Sequence, residues 1–88
     1  MRFSSVVVDI REEGRVGGKQ QWQLLLKETK FTAGDTGVLE AVARSGARLS
    51  VPVLGALEEK GEIWLRVEKP LMAGTEVTGW IENRAKPD

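Results

Sequence analysis

Any acid–base chemistry in this chain falls to carboxylates and lysines, because its 88 residues include no histidine and no cysteine. Transition metals thereby lose their usual imidazole and thiolate ligands, and Ser-His or Cys-His nucleophile pairs cannot be built. No pair among the 13 Asp and Glu residues is marked out by an apolar setting or a spacing that would drive two carboxyl pKa values apart. The segment "GRVGGK" at 14–19 lacks the spacing of a phosphate loop and the Ser or Thr after its lysine. It joins two strands instead of opening a helix, so it reads as a hairpin turn. The expectation is a protein that is not an enzyme and has no metal and no cofactor.

The chain length suits one domain, residues 1–88, with an ordered core of about 3–83 and loose ends at the first two residues and at "NRAKPD". Thirteen Lys and Arg balance thirteen Asp and Glu. A nucleic-acid module carries a concentrated basic excess, so nucleic acid is disfavoured as a partner. Lys27, Lys30, Arg44 and Arg48 could form a basic strip, but Glu28, Asp35 and Glu40 are interspersed and make a solvated surface the simpler reading. The apolar run in "MRFSSVVVDIREE" is too short for a signal core and meets Asp9, so neither secretion nor a membrane is expected. A cysteine-free chain also fits a reducing compartment, and the expected location is cytoplasmic. No low-complexity segment and no internal repeat stands out.

Hydrophobic period supplies the elements that would position any site. "FSSVVVDI" predicts a first strand over about 3–11, followed by a glycine-rich hairpin and a second strand over about 20–29. In that second strand Trp22, Leu24 and Leu26 share one face, and Gln21, Gln23, Leu25 and Lys27 the other. "FTAGDTGVLEAVARSG" at 31–46 reads two ways. As a strand it places Glu40 and Arg44 beside Val38 and Val42; as a helix over about 35–45 it gathers Val38, Leu39, Val42 and Ala43 into one stripe. Asp35 or Thr36 would cap that helix and Gly46 would end it, so the helix is the expectation. "ARLSVPVL" predicts a short strand with Leu49, Val51 and Val53 on one face, which lies at an edge or stops early because Pro52 cannot donate a ladder bond. "GALEEKG" reads as a connection with one helical turn. "EIWLRVE" at 62–68 alternates Ile63, Leu65 and Val67 inward against Trp64, Arg66 and Glu68 outward. "EVTGWIE" then sets Val77, Gly79 and Ile81 against Thr78, Trp80 and Glu82.

Strand, strand, helix and returning strands is the β-grasp order. "FTAGDTGVLEAVARSG" and "PLMAGTEVTGWI" resemble the helix entry and the approach to the last strand in ubiquitin-like proteins, including bacterial sulfur carriers and the molybdopterin-synthase small subunit. The resemblance implies an α+β domain with a mixed sheet of four to five strands packed on one helix. Sulfur carriers of this fold end in a Gly-Gly whose carboxylate is adenylated and thiolated, whereas this chain ends "AKPD". What the resemblance then implies is a non-catalytic accessory subunit that docks on another protein.

The expected docking surface follows from strand parity. If 62–68 and 75–83 pair antiparallel, Trp64, Arg66, Thr78 and Trp80 share the outer sheet face, and Val7 extends it from the first strand. Tryptophan with arginine is the composition of an interface hot spot. A protein partner or a homodimer would cover it, and Trp64→Ser with Trp80→Ser should remove binding while leaving the fold intact. The competing reading has one or both tryptophans covered by residues 54–61 or gathered in a satellite core. An all-β SH3-like or OB-like barrel remains the alternative fold, and it would admit single-stranded nucleic acid through stacking on tryptophan. A small enzyme subunit whose chemistry resides in a partner is a third class. Leu71 and Met72 beside Pro70 form either an apolar tip or a buried plug.

Overall fold

A computed structural model describes residues 2–43 and 45–83. They form seven strands: β1 (Arg2–Val16), β2 (Lys19–Leu26), β3 (Thr36–Val42), β4 (Arg48–Val53), β5 (Gly55–Glu59), β6 (Glu62–Val67) and β7 (Glu76–Asn83). All neighbours are antiparallel, in the order β4-β3-β7-β1-β2-β6-β5. Arg2, expected to be loose, is paired with Trp80. Residues 84–88 of the expected loose tail lie outside the described residues, as does Arg44 of the basic strip.

Two tight hairpins are set by turn chemistry. Gly17–Gly18 joins β1 to β2 with φ of 62° and 83°, and Lys60–Gly61 joins β5 to β6 with φ of 52° and 82°. Two successive left-handed residues match the twist of the flanking strands, which is why glycine occupies three of these four places. The turn expected in "GRVGGK" is therefore present, but both strands run up to it: Val16 pairs with Lys19.

The sheet returns on itself. β1 is long enough to serve two neighbours, pairing through Arg2–Val6 with β7 and through Val7–Val16 with β2. β4 and β5, at the two ends of the strand order, are separated only by Leu54, whose N–H donates to the Arg66 carbonyl at 2.9 Å. One half, β4-β3-β7-β1, thus folds over the other, β1-β2-β6-β5. Phe3, Leu24, Leu39, Val51, Leu65 and Val67 fill the space between them. Two connections cap this core. Phe31 in 27–35 is 1% exposed and meets Phe3 edge-on with ring centroids 5.7 Å apart, while Leu71 in 68–75 is buried as the plug and Met72 is exposed.

These connections reveal an internal repeat that the letters conceal. Phe31-Thr-Ala-Gly34 corresponds to Leu71-Met-Ala-Gly74. Gly34 donates to Ala56 in β5 at 2.8 Å, and Gly74 donates to Val7 in β1 at 2.6 Å. β1-β2-β3 is matched in order by the β4–β5 run, β6 and β7, and the middle strands pair with each other, as do the last ones.

The α+β expectation is overturned, because every regular element among the described residues is a strand. No helix covers 35–45. Thr36–Val42 is β3, bonded on one side to β4 and on the other to β7. Its inward residues are Gly37, Leu39 and Ala41, all buried, and Val38, Glu40 and Val42 face out. The two valines are thus not the core face, and at Gly37 only a glycine allows the close approach of the Trp80 backbone in β7. Two ladders then outweigh the helix propensity of Ala, Leu and Glu. "GALEEKG", expected as a connection, supplies β5 and its turn. β4 does end the strand order, one of the two outcomes that Pro52 allows.

Candidate interaction surface

The five residues expected to form one patch are distributed over three environments. β6 and β7 do not pair, since β2 and β1 lie between them. Trp64 and Arg66 therefore share the outer face of the β1-β2-β6-β5 half, while Thr78 and Trp80 share that of the β4-β3-β7-β1 half. Val7 belongs to neither: it is 1% exposed, opposite Leu26, in the core.

Trp64 points outward and is nonetheless buried, at 5% exposure. Its direct cross-strand neighbours are Leu25 in β2 and Leu57 in β5, both half-buried. The Arg11 guanidinium lies over the ring, 4.0 Å from the centroid. A cation above an indole is attracted by the ring quadrupole. Arg11 is held there by Nε donating to Gln23 Oε1 at 2.7 Å and by two bonds to the Glu59 carboxylate at 3.0 and 3.1 Å. The lattice continues, as Gln23 Nε2 and Arg66 Nε both donate to Glu13 Oε1, at 3.1 and 2.8 Å. Among the described residues the Trp64 indole N–H finds no acceptor. Of the two competing sequence readings, the covered tryptophan is the one this half adopts, with β5 supplying part of the cover.

The charges in this lattice respond to one another. Partial burial works to raise the Glu13 carboxyl, but hydrogen bonds from Arg66 and Gln23 and the charges of Arg66 and Arg11 outweigh it and leave it below its usual range. The Arg11 hydrogen bond lowers Glu59 likewise, with the Arg11 charge acting in the same direction. A depressed carboxyl contributes stability that is fully present above its unfolded value, about 4.5, and is lost as pH falls through the folded value. The urea midpoint of the wild type should accordingly fall as pH drops below about 4.5, and Glu13→Gln should fall less steeply. Identical slopes for the two proteins would show that Glu13 contributes nothing to the acid transition.

The other half presents a different surface. Pro52, Val38, Trp80 and Arg2 are successive cross-strand partners, so they form one row across β4, β3, β7 and β1. Trp80 and Val38 are half-buried, and Pro52 and Arg2 are exposed. The next outward row is Ser50, Glu40, Thr78 and Ser4. Beside it a shallow depression of about 280 Å3 is lined by Ser4, Ser5, Glu40, Val42, Glu76, Val77 and Thr78. Of the proposed patch, Thr78 and Trp80 thus remain together on an accessible face, and Val38, Pro52 and Arg2 are the neighbours that sequence reasoning missed. Pro52 and Val38 had the right parity, but the pairing of Val38 with Trp80 in β7, which brings Pro52 into the row, carries no local signal.

Arg48 of the expected basic strip lies 3.6 Å from Glu40, in line with a solvated mixed surface. Among the described residues, no helix is long and apolar enough to cross a membrane. No group of three or more His, Cys, Asp or Glu is placed among them to hold a metal ion. The chain matches no protein-family model, and comparison with curated proteins and with solved structures finds no match either.

Proposed function

We propose that this protein is a non-catalytic protein-binding module or small accessory subunit, cytoplasmic, that docks through the outer face of β4-β3-β7-β1. The observation that carries this reading is the Pro52–Val38–Trp80–Arg2 row, which runs unbroken across four strands. A rigid indole between a valine and an arginine, with a proline beyond the valine, combines large contact area with little side-chain entropy to lose. The occupant is a segment of a partner protein. Single-stranded nucleic acid would meet two carboxylates, Glu40 and Glu76, in the adjoining depression.

The test compares immobilised wild type with folded Trp80→Ser in nuclease-treated lysate of the native host, followed by affinity measurement with the purified captured protein. A partner bound by the wild type and weakened at least roughly tenfold by Trp80→Ser is the expected result. Equal affinity for both proteins would place docking elsewhere. A dimer in sedimentation equilibrium that dissociates on Trp80→Ser would replace the partner with a second copy.

A further inference from the structure

The depression beside Trp80 has a chemistry of its own. None of the residues lining it is cationic, and two are carboxylates, Glu40 and Glu76. The Glu40 side chain is only 26% exposed, so part of its hydration is lost, yet among the described residues its charged neighbour is Arg48 at 3.6 Å. That separation is too long for a hydrogen bond, and the Arg48 side chain, 73% exposed, is free to turn into solvent. The carboxylate is therefore an acceptor short of donors. Hydroxyls of Thr78 and Ser4 continue its row, and Glu76, two residues before Thr78 in β7, also lines the hollow. At about 280 Å3 the hollow is smaller than the ~300–1,000 Å3 of small-molecule sites and suits one side chain.

We infer that this depression receives a lysine or arginine side chain of the docked segment, placed next to the apolar residues that cover the Trp80 row. The inference rests on the docking face proposed above and names its partner: an extended segment in which a basic residue lies beside apolar ones. An ammonium or guanidinium brings several donors to acceptors that are only partly hydrated, and charge-assisted hydrogen bonds are the stronger kind. Charge complementarity of this sort adds selectivity against acidic segments as well as attraction for basic ones.

The probes are two capped hexapeptides, one alternating lysine with valine and one alternating glutamate with valine, titrated into the isotope-labelled full chain and followed by NMR. The lysine peptide should shift the Glu40 and Thr78 amides and the Trp80 indole saturably. The glutamate peptide should not, and Glu40→Gln with Glu76→Gln should weaken the lysine peptide by roughly tenfold or more. Glu76→Gln alone serves if the double variant fails to fold, and should show a smaller weakening. If both peptides move Trp80 equally, or the glutamine variants bind as wild type, the basic-residue assignment is wrong while the docking face stands. If neither peptide moves Trp80, the docking face falls with it.

Discussion

Trp64→Ala should lower the unfolding free energy by about 3–5 kcal/mol, the range for deleting a buried aromatic ring, whereas Trp80→Ala should cost no more than about 1 kcal/mol. Both tryptophans point away from the core, so the difference comes wholly from what lies over them. Trp64, 5% exposed, is closed in by Leu25, Leu57 and the Arg11 guanidinium 4.0 Å above it. Removing the ring empties that space and leaves Arg11 without its platform. Trp80 is half-buried in an open row. The pair Trp64→Ser with Trp80→Ser, expected from sequence to leave the fold intact, should instead unfold at markedly lower urea, and Trp64 alone should account for it. Trp64→Phe adds a check. It keeps an aromatic face under Arg11 and removes an indole N–H that is buried without an acceptor, so part of its packing loss is offset. Urea midpoints of the single variants decide the matter, and equal losses for Trp64→Ala and Trp80→Ala would contradict the covered arrangement.

A second large effect is expected at Gly37. A Cβ built there would collide with the backbone carbonyl of Trp80, and a backbone atom cannot swing aside as a side chain can. Even alanine must push β3 away from β7, and these two strands hold the Leu39–Gly79 pair at the centre of their half. The loss should exceed about 4 kcal/mol, beyond most single substitutions. A small domain has roughly 5–15 kcal/mol in all, so Gly37→Ala should be largely unfolded by far-UV circular dichroism and NMR dispersion. Gly55→Ala is the control, because a Cβ there meets nothing within 4 Å, and it should fold like wild type. A Gly37→Ala protein with the wild-type midpoint would mean that β3 and β7 do not approach as closely as this packing requires.

Both effects mark where local and non-local information separate. Strand parity is local, because successive side chains must alternate across a pleated backbone. Trp22, Leu24 and Leu26 in β2, Ile63, Leu65 and Val67 in β6, and Val77 and Gly79 in β7 all face the way alternation requires. The hairpin at Gly17–Gly18 was equally legible from glycine's left-handed freedom, and proline's missing donor left β4 two choices, an edge or an early stop, of which it takes the edge. Residues 36–42 were not. Their letters satisfy a helical stripe as well as a strand, and the choice was made by ladders to β4, the next strand, and to β7, which is distant in sequence.

The sequence by itself determined an all-purpose set of constraints: no histidine or cysteine chemistry, a balanced charge and the outward parity of Trp64, Arg66, Thr78 and Trp80. Tertiary structure decided which of those outward residues are accessible. Arg11 and Glu59, 48 residues apart, meet over Trp64 and bury it, while Pro52, Val38 and Arg2 come from three other strands to surround Trp80. Alternation is a property of the backbone within one strand. Cover depends on which strands become neighbours, and that is settled only when the two halves close around their shared core.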